Sequence, residues 1–138
     1  MKINATRRVG IALAVAALCG AGPARTHHST AAEFDSSKPV TFTGTVQKVM
    51  WTNPHIYTHV EVKRQGAPSI VYHIEGNSPN ALFRQGWRKD SIKVGEVVTV
   101  TGRGAKNPDS PNIGQATMVA ADGRKVFSGE GPAKARPE

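Results

Sequence analysis

Cysteine is almost absent from this chain, since its 138 residues include a single one, Cys19, close to the N-terminus. Long apolar runs are also lacking. A membrane-spanning helix needs about 20 apolar residues, and the apolar run from Val9 to Leu18 ends well short of that length. Basic residues precede this run and small residues follow it, which is the pattern of a cleaved secretory signal. We therefore predict a signal peptide over residues 1–24 and a periplasmic or secreted protein.

Removal of this signal peptide changes both the composition and the charge of the chain. The mature protein has no cysteine, and therefore neither a disulfide nor a thiolate site. It retains 114 of the 138 residues, enough for one small domain with its own core. The signal holds three of the 18 basic residues and none of the 10 acidic ones, so the formal charge falls from +8 to +5. No transmembrane segment is expected after cleavage.

Catalytic motifs are lacking as well. The sequence contains no G-x-S-x-G, no H-E-x-x-H and no phosphate-binding loop. Glu33 and Asp35 lie in a polar arm, where solvated or capping carboxylates are expected rather than an acid and base pair. Ser29 beside His28 is adjacency in sequence, which is not the geometry of a catalytic triad. We therefore predict that the protein is not an enzyme.

What the chain does contain is a series of short β-strand signals. Alternating or β-branched segments predict strands over 40–51, 54–64 and 69–76. In the second of these strands the period of two separates two faces. One face carries Ile56, Thr58, Val60 and Val62, and the other carries His55, Tyr57, His59 and Glu61.

The hydrophobic period then changes from strand to helix. Ser78 suits an N-cap, Pro79 the first helical position and Gly86 the end, so a short helix is predicted over 80–85. Further strand signals follow at 97–101, 114–121 and 124–127.

The predicted fold is all-β with one short helix. Three strands, a helix and two more strands is the chain order of a small five-stranded OB-like barrel, which we place over residues 39–127, with Val60 and Val98 in its core. Another small antiparallel sheet is the alternative. A polar N-terminal arm over 25–38 precedes this domain, and a disordered tail over 128–138 follows it.

Several segments resemble a family of small exported bacterial proteins that is known only as a domain of unknown function. The resemblance extends over nearly all of the mature chain, and its segments are HHS (27–29), AAEFD (31–35), KPVTFTGTV (38–46), WTNPH (51–55), SPNALFRQGW (78–87), DSIKVGEVVTVTG (90–102) and DGRKVF (122–127). It implies export and a compact β domain, and it provides no catalytic residues.

Histidines are the candidate metal ligands of this chain. His55 and His59 lie about 13 Å apart on a strand, too far to share one ion, whereas His73 reaches one of them if the strand register allows. The arm could add a further nitrogen, which gives a nitrogen-rich site suited to copper or zinc. The predicted metal set is His27, His28, His55 and His73.

A second arrangement needs no folded scaffold. Cleavage after Ala24 would leave Arg-Thr-His at the N-terminus, and a terminal amine with histidine third can hold Cu(II) in a square plane that includes His27. The alternative to both arrangements is that these are solvated surface histidines.

A ligand-binding face is the other candidate site, and we assign Trp51, Tyr57 and His59 to it. Aromatic side chains near basic residues are typical of proteins that bind single-stranded nucleic acids. The predicted export and the modest positive charge of the mature chain argue against nucleic acid as the ligand. We predict an exported binding or accessory protein with a periplasmic partner or a small ligand. Histidine-bound copper is the main hypothesis, and a glycan or another polyanion is the alternative.

Processing of the N-terminus gives the first testable prediction. Intact mass spectrometry of exported protein should show a chain that begins at Arg25, because the small residues that a leader peptidase accepts end at Ala24. A mature chain that retains Cys19 with added lipid mass would contradict this cleavage site and the absence of a membrane anchor.

Overall fold

The computed structural model of the protein describes residues 30–128, and these are mostly β-strand. The predicted signal peptide, His27 and His28 lie outside the described residues, as does the predicted tail beyond Ser128. No helix between residues 30 and 128 is long and apolar enough to cross a membrane. The elements in chain order are α1 (Thr30–Glu33), β1 (Phe34–Met50), β2 (Tyr57–Arg64), β3 (Ala67–Glu75), α2 (Pro79–Arg84), a 3₁₀ turn (Lys89–Ser91), β4 (Val97–Ala105), β5 (Asn112–Ala120) and β6 (Lys125–Val126).

The strands form a closed ring. Strand β1 pairs with both β2 and β4, β2 pairs with β3, and β4 pairs with β5, all antiparallel. A short parallel pairing of β3 with β5 closes the ring at Ile74 and Ile113. Strand β6 adds to β5 at Met118. The prediction of a β-rich domain is confirmed. Apolar side chains fill the interior of the ring.

Alternation along the strands sets which side chains fill that interior. Ile56, Thr58 and Val60 are buried, as predicted for one face of the second strand. Val60 and Val98, the two predicted core residues, are both fully buried. Thr58 is the polar exception, and its hydroxyl has no hydrogen-bond partner among the described residues. The other largest fully buried side chains are Trp87, Ile74, Leu82, Ile92, Val46 and Val100.

Helix α2 forms where the sequence predicts it, within one residue at each end. Ser78 is its N-cap, and the Ala81 amide donates to the Ser78 hydroxyl at 3.3 Å. Leu82 on its inner side is fully buried. Beyond the helix, Trp87 packs in the core, and its indole Nε1 donates to the carbonyl of Ser128 at 2.8 Å. The helix region is thus fastened to the C-terminal end of the described chain.

The N-terminal side of the domain differs from the prediction. The expectation of a single helix is wrong, because α1 precedes β1 within the segment predicted as a polar arm. Strand β1 begins at Phe34, which is only 3% exposed. A side chain on Gly114 would collide with the Phe34 ring, so a glycine there makes room for it. The Lys106 amide also donates to the Glu33 carbonyl at 2.9 Å, which ties this segment to the end of β4.

Burial in the ring gives a stability prediction. Val60→Ala and Val98→Ala should each lower the free energy of unfolding by about 1–3 kcal/mol, through lost apolar burial and a residual cavity. Val94→Ala is the matched control, because Val94 is 68% exposed and surface changes of this kind usually cost less than about 0.5 kcal/mol. Chemical denaturation of the three variants measures these costs. Equal losses at all three positions would contradict the assigned core.

Candidate functional site

The outward side of strands β2 and β3 carries a group of polar side chains that we call the histidine face. It consists of Tyr57 and His59 on β2 and of His73 and Glu75 on β3. These residues alternate with the buried Thr58 and Ile74. The antiparallel register sets His59 directly opposite His73 and Tyr57 directly opposite Glu75. Side chains directly opposite one another on a sheet face are close enough to interact.

The two histidines of this face stack on each other. The centroids of the His59 and His73 rings are 4.2 Å apart and the ring planes differ by 16°. Burial lowers the pKa of His59 below its ordinary value of 6.5, and the nearby His73 and Lys48 lower it further. His59 is therefore predominantly neutral near pH 7, which is the form of imidazole that binds metal ions.

His55 occupies a different position from the one that the predicted metal set requires. It lies just before β2, four residues before His59, and so outside the strand that carries the stacked pair. Its Nδ1 is hydrogen-bonded to the carboxylate of Glu75. The register thus brings His73 to His59 and not to His55. Since a carboxylate only accepts, Nδ1 carries the proton and Nε2 faces away from Glu75.

Helix α1 brings a second carboxylate to the same region. The side-chain amide of Asn112 donates to Glu33 at 3.1 Å, and Asn112 is the β5 residue that pairs with His73. Burial raises the pKa of Tyr57, and the negative charges of Glu75 and Glu33 raise it further. The described chain therefore starts beside the histidine face.

The predicted ligand face is only partly assembled. Tyr57 and His59 share the outward side of β2, but Trp51 packs against the core instead. Its ring meets that of Phe127 edge to face, with centroids 5.7 Å apart. Trp51 is therefore not available as an aromatic platform beside His59.

A cleft of about 240 Å³ lies next to the histidine face, at the His55 end. Sequence reasoning missed most of its lining, because residues from four separate parts of the chain meet there only when the ring closes. The period of two places Glu75 on the same side of β3 as His73, but its contact with His55 depends on the register. The cleft is lined by His55, Glu75, Gly76, Asn77, Gln115, Ala116 and Phe127.

Metal coordination by the described part of the chain would rest on the stacked pair. Within residues 30–128, no group of three or more His, Cys, Asp or Glu side chains is arranged to hold a metal ion. His59 and His73 therefore offer two nitrogens, and any further nitrogen must come from elsewhere.

These features define a small β domain with a closed ring of strands and a polar histidine face. A family model described as a family of unknown function, DUF6152, matches residues 15–114. The chain belongs to this family, which confirms the resemblance to a domain of unknown function. No curated protein and no solved structure matches the chain significantly.

The stacked histidines give a prediction for pH dependence. In an NMR titration of the imidazole signals, His59 should titrate below 6.5. His73→Gln should raise the pKa of His59 because a neighbouring cation is removed, yet leave it below 6.5 because burial remains the largest cause. His55→Gln is the control and should leave the pKa of His59 unchanged.

The lowered pKa of His59 also determines how stability changes with pH. Because the folded-state pKa of His59 lies below the unfolded-state value, the unfolded chain takes up the proton first as the pH falls. The free energy of unfolding should therefore decrease as the pH falls below 6.5. If the pKa of His59 is the same in the His73→Gln variant as in the unchanged protein, the stacked arrangement is contradicted.

Proposed function

We propose that this is an exported, non-enzymatic binding protein that holds a copper ion between His59 and His73. The observation that carries this proposal is the stacked cross-strand pair, with ring centroids 4.2 Å apart on an outward face. Two imidazoles that face each other across adjacent strands need only small side-chain rotations to direct one nitrogen each at a shared ion.

The chemistry of the pair favours copper over harder cations. Imidazole nitrogen suits copper and zinc, whereas magnesium and calcium prefer carboxylate and carbonyl oxygen. The lowered pKa of His59 keeps its nitrogen unprotonated, so little proton release opposes binding. Lys48, opposite His59 in strand β1, adds a positive charge, which the carboxylates of Glu33 and Glu75 beside the face offset.

We assign the third nitrogen to His28, with His27 as the neighbouring choice. His27 and His28 lie outside the described residues, which begin at Thr30, two positions after His28. Helix α1 starts at Thr30, and its last residue, Glu33, is tied to Asn112 beside His73. This path supports a ligand from the arm at the histidine face.

The topology also supports a binding role for this face. The order of the closed ring is β1, β2, β3, β5 and β4, with α2 between β3 and β4. We interpret it as a five-stranded OB-like barrel, a fold that binds ligands on the face of its second and third strands. His59 and His73 lie on those two strands.

Copper titration by calorimetry tests this proposal on protein that begins at Arg25. His59→Ala and His73→Ala should each weaken Cu(II) binding by roughly 10–100-fold or more, since losing even an outer-shell partner of a metal ligand costs that much. His55→Ala is the matched control, a histidine of the same strand region that is bonded to Glu75, and it should not weaken copper binding.

A one-residue extension before Arg25 separates the remaining outcomes. It should leave binding at the histidine face unchanged, because no ligand there depends on the terminal amine. Loss of binding in the extended protein would overturn the proposal in favour of the terminal amine with His27. Binding no tighter than millimolar in every form would also overturn it and favour the polyanion alternative, whose affinity falls with salt.

A further inference from the structure

The cleft beside His55 has the features of a second site. His55 is 43% exposed, whereas the Glu75 side chain that holds its Nδ1 is only 13% exposed. A mostly buried carboxylate therefore fixes the orientation of a more exposed imidazole. In the neutral imidazole, Nε2 of His55 is the acceptor that remains once Nδ1 donates to Glu75. Such support from a neighbouring group is typical of side chains that are positioned to meet a ligand.

The opposite wall of the cleft is built by a β-bulge. Arg103 pairs with Gly114 and Thr101 with Thr117, so Gln115 and Ala116 together oppose the single residue Gly102. A Cβ atom on Gly102 would lie 3.0 Å from that of Ala116, so the bulge needs a glycine there. Bulges redirect side chains, frequently next to functional sites, and here both bulge residues line the cleft.

Unusual backbone conformation concentrates at the same place. Gln115 and Phe127 have φ angles of +50° and +51°. They are the non-glycine residues with positive φ between residues 30 and 128, and both line this cleft. Left-handed backbone at non-glycine residues is costly and clusters at ligand sites. The bulge with its left-handed Gln115, the left-handed Phe127 and the carboxylate-held imidazole all lie at this one cavity.

The lining determines which ligand chemistry fits. Among the residues that the structure describes, no lysine or arginine lines the cleft, so no permanent positive charge there pairs with an anion. Its one carboxylate, that of Glu75, is already bonded to His55, which disfavours a cation. The amide of Asn77 provides both a donor and an acceptor, and His55 provides an acceptor. Ala116 forms an apolar wall, and behind it lies Phe127, which is only 7% exposed.

We propose that this cleft binds a single neutral sugar ring, with its hydroxyl groups on His55 and Asn77 and a C–H face against Ala116. Pockets for drug-sized ligands occupy about 300–1,000 Å³, so about 240 Å³ suits one ring. This proposal assigns the glycan ligand, which the sequence offers as the alternative to copper, to the cleft beside His55. It is independent of the copper proposal, because His59 and His73 do not line the cleft.

NMR titration with three sugars that share one ring tests the ligand class. The sugars are glucose, glucosamine in its ammonium form and glucuronate. Glucose should shift the side-chain signals of His55 and Asn77 saturably, with a dissociation constant on the order of millimolar for so small a ligand. The two charged sugars should bind more weakly. Saturable binding of glucosamine alone or glucuronate alone would overturn the assignment to a neutral ring.

Two variants test the location of the site. Glu75→Gln nearly preserves shape but alters the group that orients His55, and His55→Ala removes the acceptor. Each should weaken glucose binding roughly tenfold, while a dispersed spectrum verifies that the variant is folded. His73→Ala is the control and should leave glucose binding unchanged while it weakens copper binding. Unchanged glucose binding in both cleft variants, or no saturable shift with any of the three sugars, would overturn the proposal.

Discussion

The closing contact between β3 and β5 is the constraint on which the rest of the structure depends. It is short, with His73 opposite Asn112 and Ile74 opposite Ile113, and the His73 amide also donates to the Pro111 carbonyl at 3.0 Å. Without it, β3 and the first residues of β5 would present unpaired edges, which native proteins avoid or protect. Ile74 and Ile113 are both buried, so the same contact joins the two halves of the apolar interior. Ring closure and the apolar core therefore share the same two residues.

Both candidate sites follow from this closure. Asn112 reaches Glu33 from the strand position opposite His73, which draws the N-terminal segment to the histidine face. On the same strand, the bulge at Gln115 and Ala116 lies at the cleft that Glu75 and His55 line from the other side. A slip of one residue between β3 and β5 would reverse which side chains face outward, because the period of a strand is two. The buried isoleucines oppose such a slip.

The sequence predicts what depends on neighbouring residues and misses what depends on distant ones. Ser78 and Pro79 define α2 locally, and alternation assigns His59 and His73 to outward faces without knowledge of their partners. Alternation cannot give the register, so the sequence predicts His73 in a metal set with His55, whereas the register pairs His73 with His59. Phe34 lies in a polar segment, and its burial depends on a glycine 80 residues away. The cleft is the extreme case, because its lining comes together only through ring closure.

The two proposed sites share strand β3, and this sharing has a consequence for how they would work together. His73 and Glu75 are two residues apart on one face, a separation of about 6.5–7 Å. A cation held by His73 would attract the Glu75 carboxylate and compete with its bond to His55, which orients the cleft. Bound copper would then weaken sugar binding, because Glu75 would no longer hold the His55 ring in its orientation. Coupling between two binding equilibria is reciprocal, so a sugar that tightens the contact between His55 and Glu75 would weaken copper binding by the same factor.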